Sequence, residues 1–205
     1  MNNGDRWILV GDSLQCGIYE APGPVAQPCD DLMAVLLAQQ SGCVIHNLSA
    51  PGARAADGGT PGLGWISHWN TIQRVSSMNP AKGLILMLGT NDWYEPTVSG
   101  AAFVGAYRGL VRAAISSGLL VVGVTPLWRS IGASRPVKAD GAWNLVEWGS
   151  FVSNVCSEEG AKFISGYSAP LLPEDFPDGT HLGRTGHIKL TPWLKAKMVG
   201  FSYMA

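Results

Sequence analysis

The chain has 205 residues, the length of one ordinary domain. Hydrophobic residues make up 46% and charged residues 14%, which excludes a disordered chain, and the 26 glycines and 13 prolines follow no repeat that would suggest collagen or low complexity. A net charge of −1 removes the usual electrostatic drive for nucleic-acid binding, and no apolar run approaches the ~18 residues of a membrane span, so neither partner is expected.

The opening stretch, Met1 to Trp7, lacks the basic segment, apolar core and small-residue cleavage site of a signal peptide, so the cytoplasm is the expected compartment. The first apolar run, Trp7–Val10, leads straight into Gly11-Asp12-Ser13-Leu14, with Gly17 following. A serine at a strand-to-helix turn exposes its hydroxyl and carries its N–H at a helix N-terminus, where an anion is favoured. Gln15 stands where the Gly-x-Ser-x-Gly elbow would have its second glycine, and a serine here also has a plain reading as a helix cap. A helical spacing follows over Asp30–Ser41, with Leu32, Met33, Leu36 and Leu37 on one face and Gly42 as its stop.

The second run, Val44–Leu48, ends in Asn47-Leu-Ser-Ala-Pro-Gly52-Ala-Arg54, where Gly52 either forms a turn after Pro51 or brings a bare N–H to a ligand. The third, Gly83–Leu88, ends in Gly89-Thr90-Asn91-Asp92, where Asn91 is either a turn former or a side-chain donor of the oxyanion-hole kind. A helix over Ala102–Ser117 carries Phe103, Tyr107, Leu110, Val111 and Ala114. The fourth run is Leu119–Val124. A helix from about Gly141 to Glu159, a fifth run at Lys162–Ser165 and a helix over Leu182–Val199 complete the chain. Solidly apolar strands alternating with helices predict a mostly parallel sheet covered on both faces, in one α/β domain over 1–205. Ligands of such sheets bind beyond the carboxyl ends of the strands, where three of these segments lie.

Near the C-terminus stands Asp178-Gly179-Thr180-His181. A histidine works as a general base when one ring nitrogen reaches the nucleophile and a carboxylate fixes the other, and Asp178 is close enough in sequence to do so. Of the other histidines, His46 falls in the second strand, His68 in a loop-to-helix segment, and His187 on the last helix, where packing or a hydrogen bond to the Asp178–His181 loop is expected. Cys43 and Cys156 read as small core residues. Cys16 and Cys29 lie in neighbouring loop-like segments where they could pair, although a chain without an export signal favours free thiols.

Each segment alone has a plain structural explanation. In chain order they supply a nucleophile, two donors and a base with its carboxylate, and in that combination the chain resembles the SGNH hydrolases, also called the GDSL esterase/lipase family. The resemblance spans Trp7 to about Leu194. One departure is Leu182, where family members often have proline after the histidine; it bears on loop shape. The resemblance implies a flavodoxin-like, three-layer α/β/α sandwich around a five-stranded parallel sheet, with no metal or cofactor. It makes Ser13 the nucleophile, His181 the base and Asp178 its orienting carboxylate, with the N–H groups of Ser13 and Gly52 and the Asn91 side chain as the oxyanion hole.

The expected activity is hydrolysis of short-chain carboxylic esters through an acyl-enzyme, with acetylated carbohydrates as a fitting substrate. Segments expected to frame the crevice are Ala53–Trp69, Trp93-Tyr94, Leu127–Trp143 and Ala169–Pro177. Trp65, Trp69, Trp143 and, as substrate-binding candidates, Trp93, Tyr94 and Trp128 fall in or beside them; tryptophans at loop roots equally well pin loops to the core. Arg129, Arg135 and Lys138 read as a solvated face. A thioesterase or lysophospholipase acting on longer acyl chains, and a non-catalytic carbohydrate-binding domain, are the alternatives. Oligomeric state stays open.

Overall fold

The computed structural model describes residues 4–17, 32–57, 64–127 and 145–204. Five strands, β1 (Arg6–Gly11), β2 (Val44–Asn47), β3 (Gly83–Met87), β4 (Leu120–Val124) and β5 (Lys162–Ile164), pair in parallel in the order β2-β1-β3-β4-β5. They are the five apolar runs, with ends shifted by a residue or two. The pleat sends alternate side chains of one strand to opposite faces. Ile8 and Val10 of β1 join Leu84, Leu86 and Val121 in one core, while Trp7 and Leu9 join Ile85, Met87, Val122 and Val124 in the other. Because both faces are covered, neither set of positions is polar, and the runs read as continuous. Full burial of each such side chain stabilises the fold by roughly 1.5–3 kcal/mol.

Helices α1 (Leu32–Ser41) and α6 (Arg184–Gly200) cover the second face, through Met33, Leu37, Leu190, Leu194 and Met198. The first face takes α2 (Trp65–Met78), the single turn α3 (Thr90–Tyr94), α4 (Gly100–Ser116) and α5 (Leu145–Glu159). The result is the three-layer α/β/α sandwich. Helix α4 begins earlier than its apolar spacing suggests, because the Ser99 hydroxyl accepts the Ala102 N–H at 3.1 Å and caps it.

Helix α2 was anticipated only as the loop-to-helix segment around His68, without bounds, and its span falls partly in a segment assigned to the crevice. Parallel strands β2 and β3 need a crossover, and α2 supplies it. Trp65, Trp69, Ile72 and Val75 carry the helical spacing, but Ile72 is its one fully buried residue, and the polar residues between them dilute the pattern. This placement corrects two crevice candidates. A Cβ on Gly109 of α4 would come within 3.1 Å of the Trp65 ring, so that ring packs between helices. Trp69 lines a cavity of about 430 Å³ with Gln73, Pro80 and Leu119, at the amino ends of β3 and β4 and so at the opposite end of the sheet from Ser13. Among the described residues, no helix is long and apolar enough to cross a membrane.

Candidate active site

The carboxyl ends of β1 and β3 lie side by side, Gly11 opposite Met87, and the segments after β1, β2 and β3 leave the sheet at one edge. After β1, residues 12–17 fold as a turn braced by its own polar groups. The Asp12 N–H donates to Gln15 Oε1 at 2.8 Å, and the Leu14 N–H to Asp12 Oδ1 at 2.9 Å. The Asn47 side chain of β2 donates to the Gln15 carbonyl at 3.1 Å, tying this turn to the next strand. Ser13 sits on that turn, 8% exposed, rather than at the N-terminus of a helix among the described residues. The expected helix dipole at the serine is therefore not part of the described site.

His181 reaches Ser13 from a loop 168 positions away in sequence. Its Nε2 lies 3.0 Å from Ser13 Oγ, and its Nδ1 lies 2.6 Å from Asp178 Oδ2. A carboxylate can only accept, so Nδ1 carries the proton and Nε2 is left to accept from the serine hydroxyl. Asp178 is held in turn, because Oδ1 accepts the N–H groups of Thr180 at 2.8 Å and His181 at 2.7 Å. Partial burial pushes this carboxyl up, yet the His181 N–H and ring and the Thr180 N–H outweigh it and hold Asp178 below the ordinary carboxylate range. The pair is half open to water, with side-chain exposures of 23% for His181 and 40% for Asp178.

Gly52 forms the turn and also faces the crevice. The Ala53 N–H closes a β-turn onto the Ala50 carbonyl at 3.0 Å, with Pro51 and Gly52 at its centre and Gly52 at φ +75°. Nothing would crowd a Cβ there, so the backbone conformation alone calls for glycine. Gly89, at φ +125°, plays the corresponding part before α3; a Cβ on it would also press on the Phe103 ring at 3.2 Å. On α3, Asn91 Nδ2 donates to the Ala53 carbonyl at 3.1 Å, which fixes the amide's orientation and leaves a second hydrogen. Gly52 and Asn91 line one cavity of about 270 Å³ with Arg54, Tyr94 and Glu95.

Arg54 and Glu95, given no role from sequence, complete the wall, and Asp92 and His68 brace it from outside the cavity. Asp92, fully buried, accepts the N–H groups of Ala55 at 3.0 Å and Ala56 at 2.8 Å. Arg54 pairs with Glu95 at 2.7 Å, and His68 Nε2 meets the Arg54 carbonyl at 3.0 Å. Hydrogen bonds from the Thr97 hydroxyl and N–H, and then Arg54, hold the Glu95 carboxylate below its ordinary range. Side chains that follow a motif by one or four residues gave no separable signal, since Asx and charged residues at a turn are commonplace.

His187 is buried on α6, in keeping with the packing role expected, and its Nε2 sits 2.7 Å from the Gly17 carbonyl, so its hydrogen bond braces the serine turn and not the Asp178–His181 loop. Burial lowers its pKa below the ordinary imidazole value, against the opposing hydrogen bond to Gly17. Cys16 is disulfide-bonded, which overturns the free-thiol expectation; Cys29 lies outside the described residues. Cys43 and Cys156 are buried free thiols, Cys156 being pushed up to about 11 by burial.

Of the substrate-binding candidates, Tyr94 lines the cavity, whereas Trp93 is 6% exposed and packs in the core with its ring 5.1 Å from Tyr94. That corrects the expectation for Trp93: as the buried face of a one-turn helix, it anchors α3 to the core. Trp128, Arg129, Arg135, Lys138 and Trp143 lie outside the described residues. Among the described residues, no three His, Cys, Asp or Glu side chains gather as metal ligands.

The profile of the GDSL-like Lipase/Acylhydrolase family matches residues 9–188. No curated protein sequence matches the chain. Among solved structures it is similar to an aryl esterase from M. smegmatis, at 20% identity and a TM-score of 0.73 over 96% of this chain and 99% of that one. It is similar to Est24, a carbohydrate acetylesterase from Sinorhizobium meliloti, at 18% identity and a TM-score of 0.71 over 96% and 99%. A lipase/acylhydrolase from Enterococcus faecalis matches at 18% identity and a TM-score of 0.69 over 98% and 97%. At these identities the structures establish a shared fold.

Proposed function

The chain belongs to the GDSL-like lipase/acylhydrolase family, and from that premise we propose that it is a serine esterase hydrolysing short-chain carboxylic esters, acetyl esters of carbohydrates among them. The observation that carries this reading is the unbroken chain from Asp178 Oδ2 through His181 to Ser13 Oγ, at 2.6 and 3.0 Å. Ser13 Oγ attacks the ester carbonyl carbon while its proton passes to His181 Nε2, and Asp178 stabilises the imidazolium. The carbonyl oxygen becomes an oxyanion held by the N–H groups of Ser13 and Gly52 and by the free hydrogen of the Asn91 amide. His181 then gives its proton to the departing alcohol, leaving an acyl-Ser13. Water attacks that acyl group by the same steps, releasing the acid and restoring the serine.

The choice of short and polar substrates rests on the cavity beside Gly52 and Asn91. Among the described residues its remaining wall is the Arg54–Glu95 ion pair and the Tyr94 side chain, which offer a hydroxylated ligand charged partners and an aromatic face. A carbohydrate acetylesterase among the similar folds agrees with that size of acyl group. The test is hydrolysis of p-nitrophenyl acetate, butyrate, octanoate and palmitate by wild type and Ser13→Ala. Activity that falls with chain length and vanishes in the variant is the expected result. A maximum at octanoate or beyond would move the reading to lipid or thioester substrates. Activity that survives Ser13→Ala would remove the assigned nucleophile, and folded protein that neither turns over esters nor takes a fluorophosphonate label would favour a binding domain.

A further inference from the structure

Helix α3 and the residue that follows it, Glu95, hold the loop after β2 at successive positions. Asn91 takes the Ala53 carbonyl, Glu95 the Arg54 guanidinium, and the two oxygens of Asp92 the N–H groups of Ala55 and Ala56. Gly52 opens this same segment, and it shares one cavity with Asn91 across the contact between loop and helix. We propose that Asp92 is the positioning residue of the oxyanion hole, its buried carboxylate setting the loop so that the Gly52 N–H and the Asn91 amide converge on one oxygen. The proposal rests on the esterase reading above.

A buried carboxylate is an expensive way to hold two amides. Burial raises Asp92 to about 6, against the pull of the Ala56 and Ala55 N–H groups and the facing charge of Arg54, which Glu95 in turn offsets. Here each amide meets its own oxygen, Ala55 on Oδ2 and Ala56 on Oδ1, and only a carboxylate places an acceptor at both positions without bringing a donor of its own. Asp92→Asn has the same shape but places an NH2 group against one of those N–H groups, so one contact becomes donor against donor. The loop then shifts without losing either oxyanion donor outright.

Ester turnover by Asp92→Asn should therefore fall between about 10- and 100-fold in kcat, less than the 10²–10³ that complete loss of a donor costs, with KM within about twofold. Affinity for an alkylboronic acid, whose adduct on Ser13 is tetrahedral, should fall in parallel. Hydrogen exchange of the Ala55 and Ala56 amides should be strongly protected in wild type and accelerated in the variant. A folded Asp92→Asn protein with wild-type kcat and boronate affinity, whatever its melting temperature, overturns the proposal, because a merely structural contact would move stability alone. Unprotected Ala55 and Ala56 amides in wild type overturn it without any variant. Wild type that turns over no ester removes the underlying reading, a failure distinct from an active wild type matched by Asp92→Asn.

Discussion

Replacing Asp178 by asparagine should harm the enzyme more than deleting the side chain with alanine. In the wild type, Oδ1 accepts two backbone N–H groups and Oδ2 faces His181 Nδ1. An asparagine that keeps its oxygen on Thr180 and His181 turns its NH2 toward Nδ1. The ring must then carry its proton on Nε2, which donates to Ser13 and can no longer act as base. Restoring the productive tautomer means either one donor-against-donor contact at Nδ1 or, with the amide flipped, two at the backbone. The route with one frustrated contact governs, so at about 1–3 kcal/mol the cost is about 5- to 150-fold in rate. The 40% exposure of Asp178 lets water relieve part of it, so a loss of about 10- to 100-fold is expected. Alanine imposes no tautomer; water in the half-open site can accept from Nδ1, and Asp178→Ala should retain at least about tenfold more kcat/KM than Asp178→Asn. The assay is p-nitrophenyl acetate hydrolysis at pH 7–8, with near-ultraviolet circular dichroism to confirm native packing. An alanine variant as slow as the asparagine variant would refute the tautomer reasoning.

Asn91→Ala should lower kcat by about 10²–10³ as one oxyanion donor is lost, and a loss under about threefold in steady-state kinetics would mean the amide does not meet the transition state. Gly52→Ala meets open space but must hold φ +75°, so thermal unfolding should show a loss of about 1–2 kcal/mol, whereas an unchanged melting temperature would mean that the turn relaxes. His187 has its pKa lowered by burial, so the unfolded chain binds the proton first and His187 removes stability as pH falls below about 6.5. Melting curves from pH 8 to 5 should drop less steeply in His187→Gln, whose amide can still donate to the Gly17 carbonyl; parallel curves would contradict the assignment.

The sequence by itself settles what depends on neighbours along the chain. Strands buried on both faces leave continuous apolar runs, and all five appear as Trp7–Val10, Val44–Leu48, Gly83–Leu88, Leu119–Val124 and Lys162–Ser165. The Pro51-Gly52 turn and the Asp178–His181 contact are short-range chemistry, and they stand in the structure as local geometry allows. The bounds of helix α2 escaped because a helix lying on a sheet with one narrow apolar edge, Trp65, Trp69, Ile72 and Val75, needs little apolar content. Only the tertiary structure sends Trp93 and Trp65 to the core and Trp69 to the far end of the sheet, and only it gives His187 to the serine turn. Such choices rest on which elements become neighbours. The strand order β2-β1-β3-β4-β5 and its crossovers bring Ser13 to His181, and Asp92 to Ala55 and Ala56, across separations on which local periodicity and turn propensity have no purchase.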